Sequence, residues 1–134
     1  MKKILLILCL LSTAYISTAQ TSPEELTKVF FEKYKKSPSE ALDYLFGTNP
    51  YMTKNKDAVT NLKEQLQQSI PLFGKYVGYE KLKEKNIGTF FKTYTYAAKY
   101  QRQPLRFIFQ YYKAENKWVL FNFKFDDQIT KELD

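Results

Sequence analysis

The chain has 134 residues, with 21 lysines and arginines against 14 aspartates and glutamates and a formal net charge of +7. It contains no histidine and one cysteine, which excludes histidine–acid dyads, serine–histidine triads and histidine metal sites. No glycine-rich phosphate loop occurs. The composition therefore predicts no resident cofactor, no metal and no catalytic motif, and the length suits one compact domain.

Residues 1–19 have the pattern of a secretory signal peptide. Two lysines precede an apolar run over residues 4–11, and the small residues at 17–19 match what signal peptidase recognises. We predict cleavage between Ala19 and Gln20. The apolar run is too short to span a bilayer, which needs about 20 residues, so no membrane span is expected.

The processed chain, residues 20–134, is predicted to be a single exported domain, periplasmic or secreted. Removing the signal peptide leaves 19 basic and 14 acidic residues, a net charge of +5, and no cysteine. Lysines and glutamates alternate closely, as in residues 80–85, which is typical of a solvated face rather than an anion-binding tract.

Three helices are predicted in the first half of the processed chain. Pro23 and Pro38 each follow a serine, so both read as a capped helix start with proline in the first turn. Apolar residues then recur at helical spacing, and a third helix is expected over residues 56–70. We expect Gly47 to end the second helix with a positive φ, and Asn49-Pro50 to form a loop.

The second half of the processed chain alternates with period two, which predicts strands. The expected strands are Tyr76–Lys85, Thr89–Tyr100, Leu105–Tyr112 and Trp118–Phe125. Because the links between them are short, consecutive strands should be antiparallel neighbours. The bend between the first two strands is expected at residues 86–88.

The register of the last hairpin follows from its loop. A three-residue loop over residues 114–116 would pair Lys113 with Lys117 and gather eight apolar side chains on one face. A two-residue loop would turn half of them to the other face, because a one-residue slip inverts a strand. The predicted core face carries Leu105, Phe107, Phe109 and Tyr111 beside Val119, Phe121, Phe123 and Phe125.

The opposite face of this hairpin is more apolar than a solvated surface requires. We therefore predict a contact surface there, either a dimer contact or the floor of a cleft. Its candidate residues are Ile108, Tyr112, Trp118, Leu120 and Asn122.

The stretch TFFKTYTYAAKY, residues 89–100, is open to three interpretations. Aromatic and β-branched residues favour a half-buried strand, which is the leading one. A pocket wall is the second, with Tyr94, Tyr96 and Arg106 as candidate ligand-binding residues and Asp43 or Glu64 as a base. A nucleic-acid surface would need basic residues along one groove, and no nucleic-acid partner is predicted.

Helices followed by an aromatic meander with a tryptophan-led last strand resemble the cystatin-like, nuclear-transport-factor-like α+β superfamily. More narrowly, the chain resembles small secreted bacterial proteins of unknown function with that fold. The stretch PLRFIFQYYKAENKWVLFNFKFD, Pro104 to Asp126, carries the resemblance. It implies about three N-terminal helices packed on a curved four-stranded antiparallel meander sheet, a conical pocket and a dimer formed through the sheet. The chain departs from the fullest form of the fold, because no strand pair is evident between the second and third helices.

Three functions are compatible with these features. The leading hypothesis is a non-enzymatic extracytoplasmic binding or accessory module that holds a small apolar or aromatic ligand or a protein partner. The first alternative is a small pocket enzyme that uses carboxylate and tyrosine acid–base chemistry. The second is a structural homodimer module of the cell envelope.

Overall fold

The computed structural model describes residues 21–134, so the predicted signal peptide lies outside the described residues. Within this range four α-helices precede a four-stranded antiparallel sheet of order β1-β2-β3-β4, which confirms the α+β class and the meander. The helices are α1 (Pro23–Tyr34), α2 (Pro38–Phe46), α3 (Pro50–Thr53) and α4 (Lys56–Ser69). The strands are β1 (Tyr76–Ile87), β2 (Phe91–Tyr100), β3 (Pro104–Lys113) and β4 (Trp118–Asp126). Short 3-10 helices lie at Ile70–Leu72 and Ile129–Leu133.

No helix among residues 21–134 has the length and apolar character needed to cross a membrane. The β1–β2 turn occupies residues 88–90, two positions later than the predicted bend at 86–88. It begins at Gly88, whose φ of +52° is accessible to glycine at little cost.

The helix starts form as their sequences predict. Ser22 and Ser37 each accept a hydrogen bond from the backbone amide three residues further on, at 3.2 and 3.3 Å. The expected loop at Asn49-Pro50 was wrong at Pro50, which begins the one-turn helix α3, while the Asn49 side chain caps that helix by accepting from the amide of Tyr51. Gly47 ends α2 as its C-cap, as expected, but the expected positive φ was wrong, because its φ is −62°.

The helices cover one face of the sheet, and the layer between them is dominated by aromatic rings. Phe30 of α1 lies edge-on to Phe109 of β3, with 5.1 Å between ring centroids. Buried tyrosines place their hydroxyls on partners within this layer. Tyr111 pairs with Thr27 Oγ1 at 2.7 Å, and the hydroxyls of Tyr34 and Tyr100 meet at 2.5 Å. The core side chains that are almost wholly buried include Phe30, Phe31, Leu42, Leu45, Leu66, Tyr94, Phe107, Phe109, Tyr111 and Leu120.

The register of the β3–β4 hairpin differs from the prediction. Phe109 pairs with Phe123, whereas Tyr111 pairs with Leu120, so β4 carries one additional residue at this point. Such a β-bulge sets two residues of one strand against one of the other. As a result Leu120 is fully buried and Phe121 is 55% exposed, the reverse of the predicted arrangement. The hairpin loop has four residues, 114–117, rather than three.

The bulge is held by two side chains from the α2–α3 connection. The amide of Leu120 donates to Thr48 Oγ1 at 2.9 Å, and the Leu120 carbonyl accepts from Asn49 Nδ2 at 2.8 Å. These bonds pair the amide and the carbonyl of Leu120 at the point where the bulge disrupts the hydrogen bonds between β3 and β4. Asn49 thus fixes α3 and the start of β4 together.

Candidate functional site

The three predicted ligand-binding residues do not meet. Tyr94 and Tyr96 lie on the helix-covered face of β2, with 0% and 8% of their surfaces exposed. Arg106 lies on the opposite face of the sheet, opposite Ala97 in the register. No cavity lined by all three can therefore form while the sheet separates them.

The buried Tyr94 hydroxyl makes no hydrogen bond of ordinary geometry, although it faces the Glu24 carboxylate. This interaction lowers the pKa of Glu24, and burial with the same interaction raises the pKa of Tyr94. Burial likewise raises the pKa of Tyr96 to about 12. All three shifts move away from neutrality, whereas an acid–base catalyst works best with a pKa near the operating pH.

The two carboxylates predicted as bases lie on the helix surface. Asp43 of α2 forms a salt bridge with Lys63 of α4 at 2.7 Å. Glu64 is exposed on α4. Neither side chain is therefore placed beside the buried tyrosines.

Arg106 instead anchors the C-terminal segment to the uncovered face of the sheet. Its guanidinium makes two bonds to Asp126, at 3.0 and 2.6 Å, and one to Glu132 at 2.9 Å. Lys83 of β1 also reaches Glu132, at 3.0 Å. Arg106 lowers the pKa of Asp126, and Lys83 with Arg106 lowers the pKa of Glu132. These ion pairs cover the end of the uncovered sheet face at which Arg106 lies.

The five predicted interface residues are divided by the β4 bulge. Ile108, Tyr112 and Asn122 stay on the face away from the helices, as expected from alternation along β3 and β4. Leu120 is fully buried in the core, and Trp118 packs against the same core. The predicted Trp118 surface was therefore wrong, because the extra residue in β4 reverses the facing of its first three positions.

An exposed apolar surface lies at the other end of that face, where the β1–β2 turn and the β3–β4 loop meet. Register places Ile87, Phe91, Tyr112 and Val119 in one row across the four strands. Phe121 packs edge-on against Phe91 with 5.3 Å between centroids, and Phe90 packs against Tyr112 at 6.4 Å. We call these residues the turn-end surface: Ile87, Phe90, Phe91, Tyr112, Val119 and Phe121.

Four side chains of the turn-end surface are strongly exposed. Ile87 is 61% exposed, Phe121 55%, Phe90 46% and Tyr112 38%. Single exposed apolar residues are common, but a contiguous group of them on a monomer usually marks a contact site.

A cleft of about 380 Å³ adjoins the turn-end surface. It lies between α3 and the β3–β4 loop, and Tyr112 and Val119 belong to both the cleft and the surface. Tyr51, which is 81% exposed, forms the opposite wall. We call it the Tyr51–Tyr112 cleft; it is lined by Asn49, Pro50, Tyr51, Tyr112, Ala114, Glu115, Asn116, Lys117 and Val119.

A cleft between two tyrosines suits a flat apolar or aromatic ligand, because the rings supply large contact areas and hydroxyls that stay in water. A larger cleft of about 520 Å³ lies between α1 and the start of β1. Phe31 and Tyr79 line this cleft and stack on each other, with 4.0 Å between their ring centroids. Tyr79 is therefore already engaged with a partner ring, unlike Tyr51.

Sequence reasoning found Tyr112 but missed Tyr51, Ile87 and the two phenylalanines of the β1–β2 turn. Tyr51 was given no role, because the loop was expected at Asn49-Pro50 just before it, and the β1–β2 turn was placed two residues too early. The signal available was the dipeptide Phe90-Phe91 two residues after the turn glycine Gly88, at a strand end where side chains are seldom covered on both sides. Within residues 21–134 no group of three or more acidic, cysteine or histidine side chains is placed to hold a metal ion.

No protein-family model, curated protein or solved structure matches the chain. The class of the protein is thus set by its α+β architecture alone.

Proposed function

We propose that this protein is an exported, non-enzymatic binding module whose ligand site is the Tyr51–Tyr112 cleft. Its ligand is a small molecule with a flat apolar or aromatic part. We further propose that its fold belongs to the cystatin-like, nuclear-transport-factor-like superfamily. The observation that carries the function is the pairing of an 81% exposed tyrosine with a second exposed tyrosine across one open cleft.

The position of the cleft supports a binding role. Asn49 holds α3 against the bulge of β4 through the Leu120 carbonyl, so one wall of the cleft is fixed to the floor. A preformed cleft loses little conformational freedom when a ligand enters, which favours affinity. The floor is apolar at Pro50, Ala114 and Val119.

An enzymatic role receives less support. The tyrosine–carboxylate contact between Tyr94 and Glu24 has the residue types that acid–base chemistry uses. Its pKa shifts, however, make the tyrosine a weaker acid and the carboxylate a weaker base. Glu24 also lies on the exposed side of α1 rather than in a cavity.

The proposal can be tested with a neutral apolar fluorophore, N-phenyl-1-naphthylamine, titrated into the processed protein. Its fluorescence rises in an apolar site, and quenching of Trp118, the single tryptophan of the chain, provides a second readout. Trp118 lies between the cleft residues Lys117 and Val119 in sequence, at the start of β4. We expect Tyr51→Ala and Tyr112→Ala each to weaken binding about tenfold, because each removes one wall.

Leu72→Ala is the matched control. Leu72 is 68% exposed and lies near Arg102 of the β2–β3 turn, at the opposite end of the sheet. Its replacement should leave binding unchanged. Equal losses in all three variants, or binding that survives the double variant Tyr51→Ala/Tyr112→Ala, would show that the probe occupies another place.

A further inference from the structure

We propose that the turn-end surface docks this protein onto anionic lipid bilayers, with the β1–β2 turn entering the headgroup region. This inference rests on the proposed function in that it assigns the same end of the molecule to binding. It adds a second partner, a membrane surface, beside the small ligand of the cleft.

The turn-end surface has the shape and chemistry for shallow insertion. Both connections, residues 88–90 and 114–117, lie at the same end of an antiparallel meander, so they form one tip. Ile87 directly precedes the first connection and Phe90 is its last residue, and they are the most exposed apolar side chains there. Aromatic side chains favour the boundary between headgroups and hydrocarbon, where their rings are buried and the backbone stays hydrated.

Lysines surround this tip. Lys85 lies two residues before Ile87 on the same face of β1, opposite Thr93. Lys117 lines the cleft, and the Lys54 ammonium lies 5.4 Å from the ring of Tyr51. Lys113 lies 5.1 Å from the ring of Trp118.

Within residues 21–134 none of Lys54, Lys85, Lys113 and Lys117 forms a salt bridge, whereas Lys81 and Lys92 share Glu84. One acidic residue, Glu115, lies in the loop beside them. An apolar tip ringed by free cations complements a surface of anionic headgroups over an apolar interior.

The same charges disfavour a second copy of this chain as the occupant. A twofold interface is isologous, so it would bring each lysine cluster against its own copy. Like charges brought together in this way oppose association unless acidic groups are interposed, and the cleft beside the tip is lined by a single acidic residue, Glu115. An anionic bilayer meets the lysines with opposite charge over the whole tip.

The test uses protein recovered after export, with its N-terminus determined by mass spectrometry, and sedimentation with two kinds of vesicle. One kind is phosphatidylcholine alone, and the other is phosphatidylcholine mixed with phosphatidylglycerol. We expect binding to the mixed vesicles that weakens with added salt, and little binding to phosphatidylcholine alone. Wild type and variants share residues 1–20 or lack them equally, so differences between them report on the tip.

Two pairs of matched variants locate the contact. Lys85→Gln/Lys117→Gln should lower partitioning onto mixed vesicles by about 25-fold, since each lysine near an anionic surface contributes about fivefold. Ile87→Ser/Phe90→Ala should lower it by about tenfold or more. The controls Lys36→Gln/Lys75→Gln and Leu72→Ser lie toward the opposite end of the sheet and should change it less than about twofold.

Orientation is tested by bromine-labelled lipids, which quench nearby tryptophan. A ten-residue strand is about 33 Å long, so Trp118 at the tip should be quenched and would not be if the other end docked. Absence of binding to mixed vesicles, or equal losses in the control variants, would overturn the proposal. A dimer in sedimentation equilibrium that Ile87→Ser/Phe90→Ala dissolves would assign the tip to a second copy instead. The fluorophore titration decides the cleft separately, because Tyr51→Ala alters the cleft and leaves Ile87, Phe90, Lys85 and Lys117 in place.

Discussion

Replacing Leu120 and Phe121 singly by alanine tests the β4 bulge, on which the placement of Trp118 and of the cleft floor depends. Leu120 is fully buried and Phe121 is 55% exposed. Truncation of a fully buried leucine costs about 2–5 kcal/mol, the lost transfer free energy plus the cavity left behind. Truncation of a mostly exposed side chain costs about 0.5 kcal/mol, and here the contact that is lost is the edge contact with Phe91.

The free energy of unfolding can be measured by urea denaturation, followed by Trp118 fluorescence and by far-ultraviolet circular dichroism. With a slope of about 1–3 kcal/mol per molar urea, a loss of about 3 kcal/mol lowers the midpoint by about 1–3 M. We expect that shift for Leu120→Ala and a small fraction of it for Phe121→Ala. An unbroken β3–β4 ladder would bury Phe121 and expose Leu120, so the opposite ranking would refute the bulge.

Two further predictions concern the uncovered face and the tyrosine core. Folding holds the pKa values of Asp126 and Glu132 below their ordinary 3.8 and 4.5, so the stability they contribute is complete above about pH 4.5 and is lost as the pH falls through the lowered values. Urea denaturation between about pH 6 and about pH 3 should therefore show a smaller fall in unfolding free energy for Arg106→Gln than for the wild type, and an equal fall would contradict this role. Tyr34→Phe should cost about 1–2 kcal/mol because it leaves the Tyr100 hydroxyl buried without its partner at 2.5 Å. The double variant Tyr34→Phe/Tyr100→Phe should lose less unfolding free energy than the sum of the two single variants. Strict additivity in this double-mutant cycle would show that the two hydroxyls are not coupled.

Much of the fold follows from local sequence signals. Serine before proline fixed the starts of α1 and α2, and period-two alternation located all four strands to within a few residues. Short links then required antiparallel neighbours, which is the observed order. These features depend on residues close together in the chain, so a single sequence contains the information for them.

The bulge depends on a contact that no local pattern reveals. Leu120 is held by Thr48 and Asn49, about 70 positions earlier in the chain, at 2.9 and 2.8 Å. A prediction from alternation alone continues through this point without a bulge. It therefore assigns the core to Phe121 and the surface to Leu120, the reverse of what is observed. The predicted interface of Trp118 and Leu120 failed for this one reason.

The candidate site was predicted only in part because it is defined by exposure. Tyr94 and Tyr96 have the residue type of a pocket wall, yet Phe31 of α1 packs on Tyr96, and Tyr94 packs against Tyr96 and Tyr111. Tyr51 and Phe90 have the residue type of a core, yet α3 and the β1–β2 turn leave them facing outward. Burial of an aromatic ring is decided by which element covers it, and that is a tertiary property.

The most direct test of the account is to map the binding of N-phenyl-1-naphthylamine on the backbone amides by nuclear magnetic resonance. A site at the turn end predicts chemical-shift changes confined to residues 49–51 and 112–121, with smaller ones at 87–91. Shift changes centred on Tyr94 and Tyr96 would place the ligand in the core and contradict the account. An unchanged spectrum at saturating probe would equally show that the Tyr51–Tyr112 cleft is not a binding site.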